Sequence, residues 1–160
     1  MFTPSRLFLA AALIALPGLA QASTSAINAD SQRLTLDANA QLSARQSVAA
    51  ADLYEAALAA DPKNVAAYIG LGRVYESLGL PGKALSYYRE ALEVEPNNLD
   101  ALEAQAAGLV GKGKLPQAQL NLDRIRKVCK SDCAAARRVS LLIASAREKG
   151  AAVTSKTVRR

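Results

Sequence analysis

The sequence predicts an all-α fold, a solenoid of helical hairpins with a capping helix at its C-terminal end. Three observations carry that expectation. Apolar residues recur at helical spacing, as in Tyr68, Leu71, Val74 and Tyr75. Gly79, Pro81 and Pro96 stand where helices should stop or start. The same phase then returns across residues 31–149.

The first 30 residues precede that phase. Arg6 is followed by the apolar run Leu7 to Leu16, Pro17-Gly18 ends the run, and Ala20-Gln21-Ala22 offers small residues to a signal peptidase. Residues 1–22 therefore read as a cleaved signal peptide, because the run is short of the roughly 20 residues needed to span a bilayer. No cysteine follows the run to carry a lipid anchor. The expected location is a bacterial periplasm. Residues 23–30, small and polar, read as a flexible leader.

The hairpin 65–98 sets the frame. Its first helix buries Tyr68, Leu71, Val74 and Tyr75, and Gly79 stops it by tolerating the left-handed conformation. Its second helix runs from Pro81, suited to a first turn, to Val94, with Leu85, Tyr88 and Leu92 inward. Glu95-Pro96 ends it, since proline disfavours helical geometry in the residue before it. Gly72, Ala84 and Ala91 are small where the helices press together. Tyr68, Leu71, Gly72, Tyr75, Gly79, Ala84, Tyr88, Ala91 and Pro96 together match the pattern of the tetratricopeptide repeat over its whole period, and the hairpin resembles that family. The resemblance implies a right-handed solenoid of three such units plus a C-terminal capping helix.

Shifting the frame back gives a first unit, 31–64, with Ala38, Ala50, Tyr54, Ala57 and Pro62 in place. Its first helix is degenerate: Asp37, Gln41 and Arg45 replace leucine, an aromatic and glycine, as suits a terminal repeat whose outer face meets water. Shifting forward gives a third unit, 99–132, with Leu102, Ala106, Leu109, Gly113, Ala118 and Leu122 in place. Ile125 and Lys130 replace the last alanine and the proline, so its exit is altered. Ala136, Val139, Ser140 and Ile143 continue the phase, and residues 133–149 read as a capping helix ending at Gly150. The remaining stretch, 150–160, is basic and read as a disordered tail.

Charge is uneven along the chain. Residues 23–110 hold six Lys or Arg against eleven Asp or Glu, whereas residues 111–160 hold thirteen against three, within a net charge of +6. The bland reading is solvation of outer helix faces. The sharper ones are an acidic target for the C-terminal end, either an acidic protein segment or an anionic membrane surface, and head-to-tail self-association of acidic and basic halves. Export argues against nucleic acid, and no transmembrane span is expected in the mature chain.

Cys129 and Cys133 are the only cysteines, and in an exported chain they are expected to form a disulfide across the altered exit, with Ser131 or Asp132 as helix cap. The alternative is a redox-responsive pair. Their C-x3-C spacing and the lack of a preceding strand argue against thioredoxin-like chemistry. The chain has no histidine, which removes the commonest general base and metal ligand, and its carboxylates are scattered. Gly108 to Lys114 satisfies the start of a phosphate-binding loop, but Leu115 stands where Ser or Thr should follow and a helix precedes it. No enzyme activity, cofactor or metal is expected.

The resemblance implies a binding scaffold. In similar proteins the first helices line a concave groove that holds a partner segment. Carried over position by position, the groove residues here are Asn39, Ile69, Arg73, Glu76, Glu103 and Arg137. The lysine that some family members use to clamp a chaperone's C-terminal carboxylate is Thr35 here, so that clamp is not expected.

Overall fold

The structure is a computed structural model describing residues 28–130 and 133–158. The signal peptide and all but the last three residues of the leader lie outside the described residues, as do the two candidate caps Ser131 and Asp132. Seven helices follow in order, and there is no strand among the described residues: α1 Ala29–Ser43, α2 Ser47–Ala60, α3 Val65–Ser77, α4 Pro81–Val94, α5 Leu99–Gly111, α6 Leu115–Cys129 and α7 Ala134–Val158. Each odd helix packs against the even one after it, and each even helix against the next odd one; α1, α3, α5 and α7 also touch in sequence. This is the all-α hairpin stack the periodicity predicts.

The turn inside each hairpin is made the same way. Gly79 and Gly113 adopt φ of 72° and 70°, and Arg45, where the frame wants glycine, adopts φ of 61° itself. Geometry prevails there over residue preference, at a cost of about 1–2 kcal/mol for the side chain.

The core is built from small residues around tyrosines. Tyr54 and Tyr88 are fully buried. A Cβ on Gly70 would lie 2.3 Å from the Tyr54 ring, and one on Gly72 would lie 2.1 Å from the Tyr88 ring. Gly70 therefore seats the tyrosine of the preceding unit and Gly72 that of its own. Only glycine lets α3 approach both rings so closely.

The first two units are joined by a buried polar cluster. Asn64 caps α3 by accepting from the Ala67 amide (3.2 Å) and donates to Ser31 Oγ (2.7 Å) and Thr35 Oγ1 (2.9 Å). Ser31 donates in turn to the Ala57 carbonyl (2.7 Å) and Thr35 to the Ser31 carbonyl (2.8 Å), so every member is satisfied. Asn98 repeats the cap on α5 at 3.0 Å, but its amide turns outward to Glu95 (2.8 Å).

At the C-terminal end the altered exit and its disulfide stand as the sequence reading expects, and the length of the last helix departs from it. α6 leaves through a left-handed Lys130 (φ 55°) in place of an extended residue before proline, and Cys129 and Cys133 are disulfide-bonded across that turn. α7 does not stop at Gly150. It runs to Val158, so residues 150–158, expected as disordered tail, are helical. Gly150 is not among the glycines of positive φ, so it continues the helix in place of turning the chain. Ala135, Ala136, Val139 and Ile143 bury the inner face of α7 over the third unit, as a cap requires. No described helix is long and apolar enough to cross a membrane.

Candidate functional site

The first helices α3, α5 and α7 share one side of the stack, and a concavity of about 280 Å³ lies between them. α3 presents Arg73 and Glu76 one turn apart. α5 presents Asp100, Glu103 and Ala107, spaced by three and four residues and hence on one face. α7 contributes Arg138 and Leu142, and Tyr88 reaches in from α4.

Electrostatics divide this site into a paired and an unpaired part. Arg138 forks onto Glu103, donating through Nε to Oε1 and through Nη2 to Oε2 at 2.6 Å. Glu103 is mostly covered while Arg138 is exposed, and the carboxylate holds the guanidinium pKa up. Arg73, Glu76 and Asp100 form no ion pair among the described residues. They are the charges open to an incoming group.

Tyr88 is the unusual member. Its hydroxyl is buried with no hydrogen-bond partner among the described residues. Burial pushes its pKa up, the nearby Glu76 carboxylate adds to that, and Arg73 opposes it. Glu76 is the acceptor nearest the hydroxyl, acting on it through charge and an incipient hydrogen bond that falls short of full geometry. In the first unit the equivalent Tyr54 hydroxyl is satisfied, donating to Asn39 Oδ1 at 2.7 Å.

Of the residues expected in the groove, Arg73, Glu76 and Glu103 are brought together. Ile69 is only 5% exposed and belongs to the core, because the neighbouring first helices cover the middle of α3. Asn39 is exposed on α1, outside this concavity, and its side chain is engaged by Tyr54. Arg137 is exposed on α7 but does not line the concavity; its neighbour Arg138 does. Arg138 falls where the frame has Gly70 and Ala104, and the register signals a small residue there. Only the match to Glu103, 35 residues earlier, explains its place. Tyr88 read as core from its position, and nothing in the sequence marks its hydroxyl as unpartnered. Among the described residues no group of three or more His, Cys, Asp or Glu is placed to hold a metal ion.

A family model described as tetratricopeptide repeat matches residues 36–101. Tetratricopeptide repeat protein 8 of Caenorhabditis elegans is 35% identical over 69 residues, which are 43% of this chain and 14% of that protein, so the match spans a small part of the relative's length. Among solved structures, the Sgt2 TPR domain from Aspergillus fumigatus superposes with a TM-score of 0.69 at 19% identity, over 82% of this chain and 86% of that one. The first TPR of Spaghetti (RPAP3), solved with the HSP90 peptide SRMEEVD, gives 0.63 at 20%, over 72% and 94%. The Yersinia enterocolitica type III secretion chaperone SycD, in complex with a peptide of the translocator YopD, gives 0.66 at 19%, over 74% and 93%. At these identities the likeness is one of fold.

Proposed function

This chain is a tetratricopeptide-repeat protein, and on that premise we propose that it serves as a non-catalytic scaffold in a bacterial periplasm, holding a segment of a partner protein in the groove formed by α3, α5 and α7. The observation that carries the proposal is the concavity itself. Charges of both signs that form no ion pair among the described residues and the small apolar surface of Ala104, Ala107 and Leu142 converge there from separate helices. The side chains of a bound peptide can engage Arg73 on one side and Glu76 and Asp100 on the other, and its small or apolar residues can rest on Ala104, Ala107 and Leu142. Two similar structures hold peptides, one of HSP90 and one of YopD, which supports the same use of the fold here. The apolar run ahead of Ala20-Gln21-Ala22 supports export.

The test is site-specific photocrosslinking from Ala107 in cells of the source organism, followed by osmotic-shock fractionation. A single crosslinked partner in the periplasmic fraction, lost on Arg73→Glu combined with Glu76→Lys, is the expected result. Crosslinks that survive both reversals, or a chain that stays in the cytoplasm with residues 1–22 attached, would refute the groove or the location respectively.

A further inference from the structure

On the opposite side of the stack, a larger groove of about 670 Å³ lies between the second helices α4 and α6, with Gln105 and Leu109 of α5 as its floor. Those two floor residues lie roughly half a turn around α5 from Asp100, Glu103 and Ala107, so this groove is separate from the concave one. Its origin is legible by comparing units. In the second unit the corresponding place is filled: Tyr75 and Tyr87 stack with ring centroids 5.3 Å apart, and Lys83 Nζ sits 3.8 Å over the Tyr75 ring. One period later, Leu109, Asn121 and Gln117 stand at those three positions, and all three line the groove. The third unit is thus missing an aromatic pair, and space remains where the rings would be.

The rim has one sign. Arg89, Lys114, Arg124 and Lys127 line the groove against a single acid, Asp123. Asp123 is already engaged, pairing with Arg126 at 3.7 Å and accepting from Gln119 at 3.2 Å. Arg89 faces Glu93 at 3.8 Å, but both are well exposed and such a pair contributes little. Lys114 and Lys127 make no ion pair among the described residues. Leu120 stands 64% exposed on the same wall, beside half-buried Leu85 and Leu109.

We infer that this convex groove is a second docking site, and that it takes a linear segment of a partner protein carrying an aromatic side chain flanked by acidic residues. The ring occupies the space left by the missing pair, against Leu85, Leu109 and Leu120. Its acidic neighbours meet Arg89, Lys114 and Lys127. Charge selects the segment and steers its approach, while burial of the ring supplies the anchor.

The test uses the chain 23–160 and a fluorescein-labelled peptide with one central Trp and two Glu on each side, followed by fluorescence anisotropy. Binding should weaken at least tenfold on Trp-to-Ala or Glu-to-Gln changes in the peptide, and at least tenfold for the protein carrying Arg89→Glu with Lys127→Glu, two exposed sites. A plug variant, Leu109→Tyr with Asn121→Tyr, rebuilds the pair of the second unit and should abolish binding while thermal unfolding stays cooperative. The reversal variant, whose changes are on the surface, decides the matter if the plug variant does not fold. Four outcomes would overturn the inference. They are no binding up to about 1 mM peptide, equal binding of the Gln peptide, equal binding of a single-stranded oligonucleotide, and sedimentation showing that the groove is filled by a second copy of the chain.

Discussion

Replacing Gly72 by alanine tests the packing on which the stack depends. The new Cβ would lie 2.1 Å from Tyr88 Cε1 and 2.6 Å from Cδ1 and Cζ. An unstrained carbon contact is about 3.5 Å, so the ring would have to retreat by roughly 1.4 Å. Tyr88 is fully buried, so its ring can retreat only by displacing its neighbours. Overpacking costs about 1–3 kcal/mol, and a displacement this large belongs near the top of that range. Alanine's better helix propensity offsets about 0.5–1 kcal/mol. The net expectation is a loss of about 2 kcal/mol, read as a urea midpoint about 1 M lower by far-UV circular dichroism.

A second variant makes the argument sharper. The frame places Ala104 of α5 on the other side of Tyr88, so each buried tyrosine has one glycine and one alanine neighbour: Gly72 and Ala104 for Tyr88, Gly70 and Ala38 for Tyr54. Moving the hole, with Gly72→Ala and Ala104→Gly together, should let the ring swing across. The double variant should then be more stable than the sum of the two single losses by about 1 kcal/mol. If Gly72→Ala leaves the midpoint unchanged or raises it, helix propensity has prevailed and the close seat of Tyr88 is not a constraint.

Gly79→Ala should cost about 1 kcal/mol, because φ of 72° is strained for any side chain and no atom within 4 Å complicates the reading; Arg45→Gly should gain about 0.5–1 kcal/mol for the converse reason. Both are checked by urea titration. Asn64→Ala should lose about 2–4 kcal/mol, a helix cap plus two buried hydroxyls left without their donor, whereas Asn98→Ala should lose about 1 kcal/mol, the cap alone. Equal losses would mean that the buried cluster contributes nothing. Cys129→Ser with Cys133→Ser should cost about 2 kcal/mol by the chain-entropy account and leave crosslinking in the concave groove intact; loss of binding with the fold retained would favour a redox switch. Burial pushes Tyr87 up to about 12, with smaller contributions from Tyr75 and nearby carboxylates, and raises Tyr54, Tyr68 and Tyr88 as well. A raised folded pKa gives stability present below pH 10 and lost as pH rises through the folded value. Unfolding between pH 10 and 12, accompanied by tyrosinate absorbance, is the expected outcome; tyrosines titrating near 10 while the fold persists would contradict the burial.

Local signals wrote most of this fold plainly. Pro81 and Val94 bound α4 as the sequence suggests, because proline and Glu95-Pro96 act on their own neighbours. Contacts between units were less legible. Gly70 has no special place within its own hairpin and is explained only by Tyr54 of the one before. The groove was half legible for a related reason. Periodicity gives the direction of a Cα–Cβ bond, which placed Arg73, Glu76 and Glu103 on one side. It does not give the reach of a long side chain or the cover a neighbour provides, so Arg138 displaced Arg137 and Ile69 proved buried. The helical continuation beyond Gly150 was not legible, because glycine permits a helix stop without imposing one.

The Asn64 cluster gives the stack unequal stiffness along its axis. Hydrogen bonds are directional, so a joint locked by Asn64, Ser31 and Thr35 resists rotation of one hairpin against the next as well as separation. The joint between the second and third units has no such buried polar cluster among the described residues: Asn98 turns away to Glu95, its interior is apolar, and the hydrogen bond from Arg124 to the Pro96 carbonyl lies at the exposed edge. Apolar contact is non-directional and tolerates small rolling motions. The concave site straddles that compliant joint, with Arg73 and Glu76 on one side and Asp100 and Glu103 on the other. The first unit thus acts as a rigid handle, and the curvature of the groove can adjust where a partner segment would be gripped.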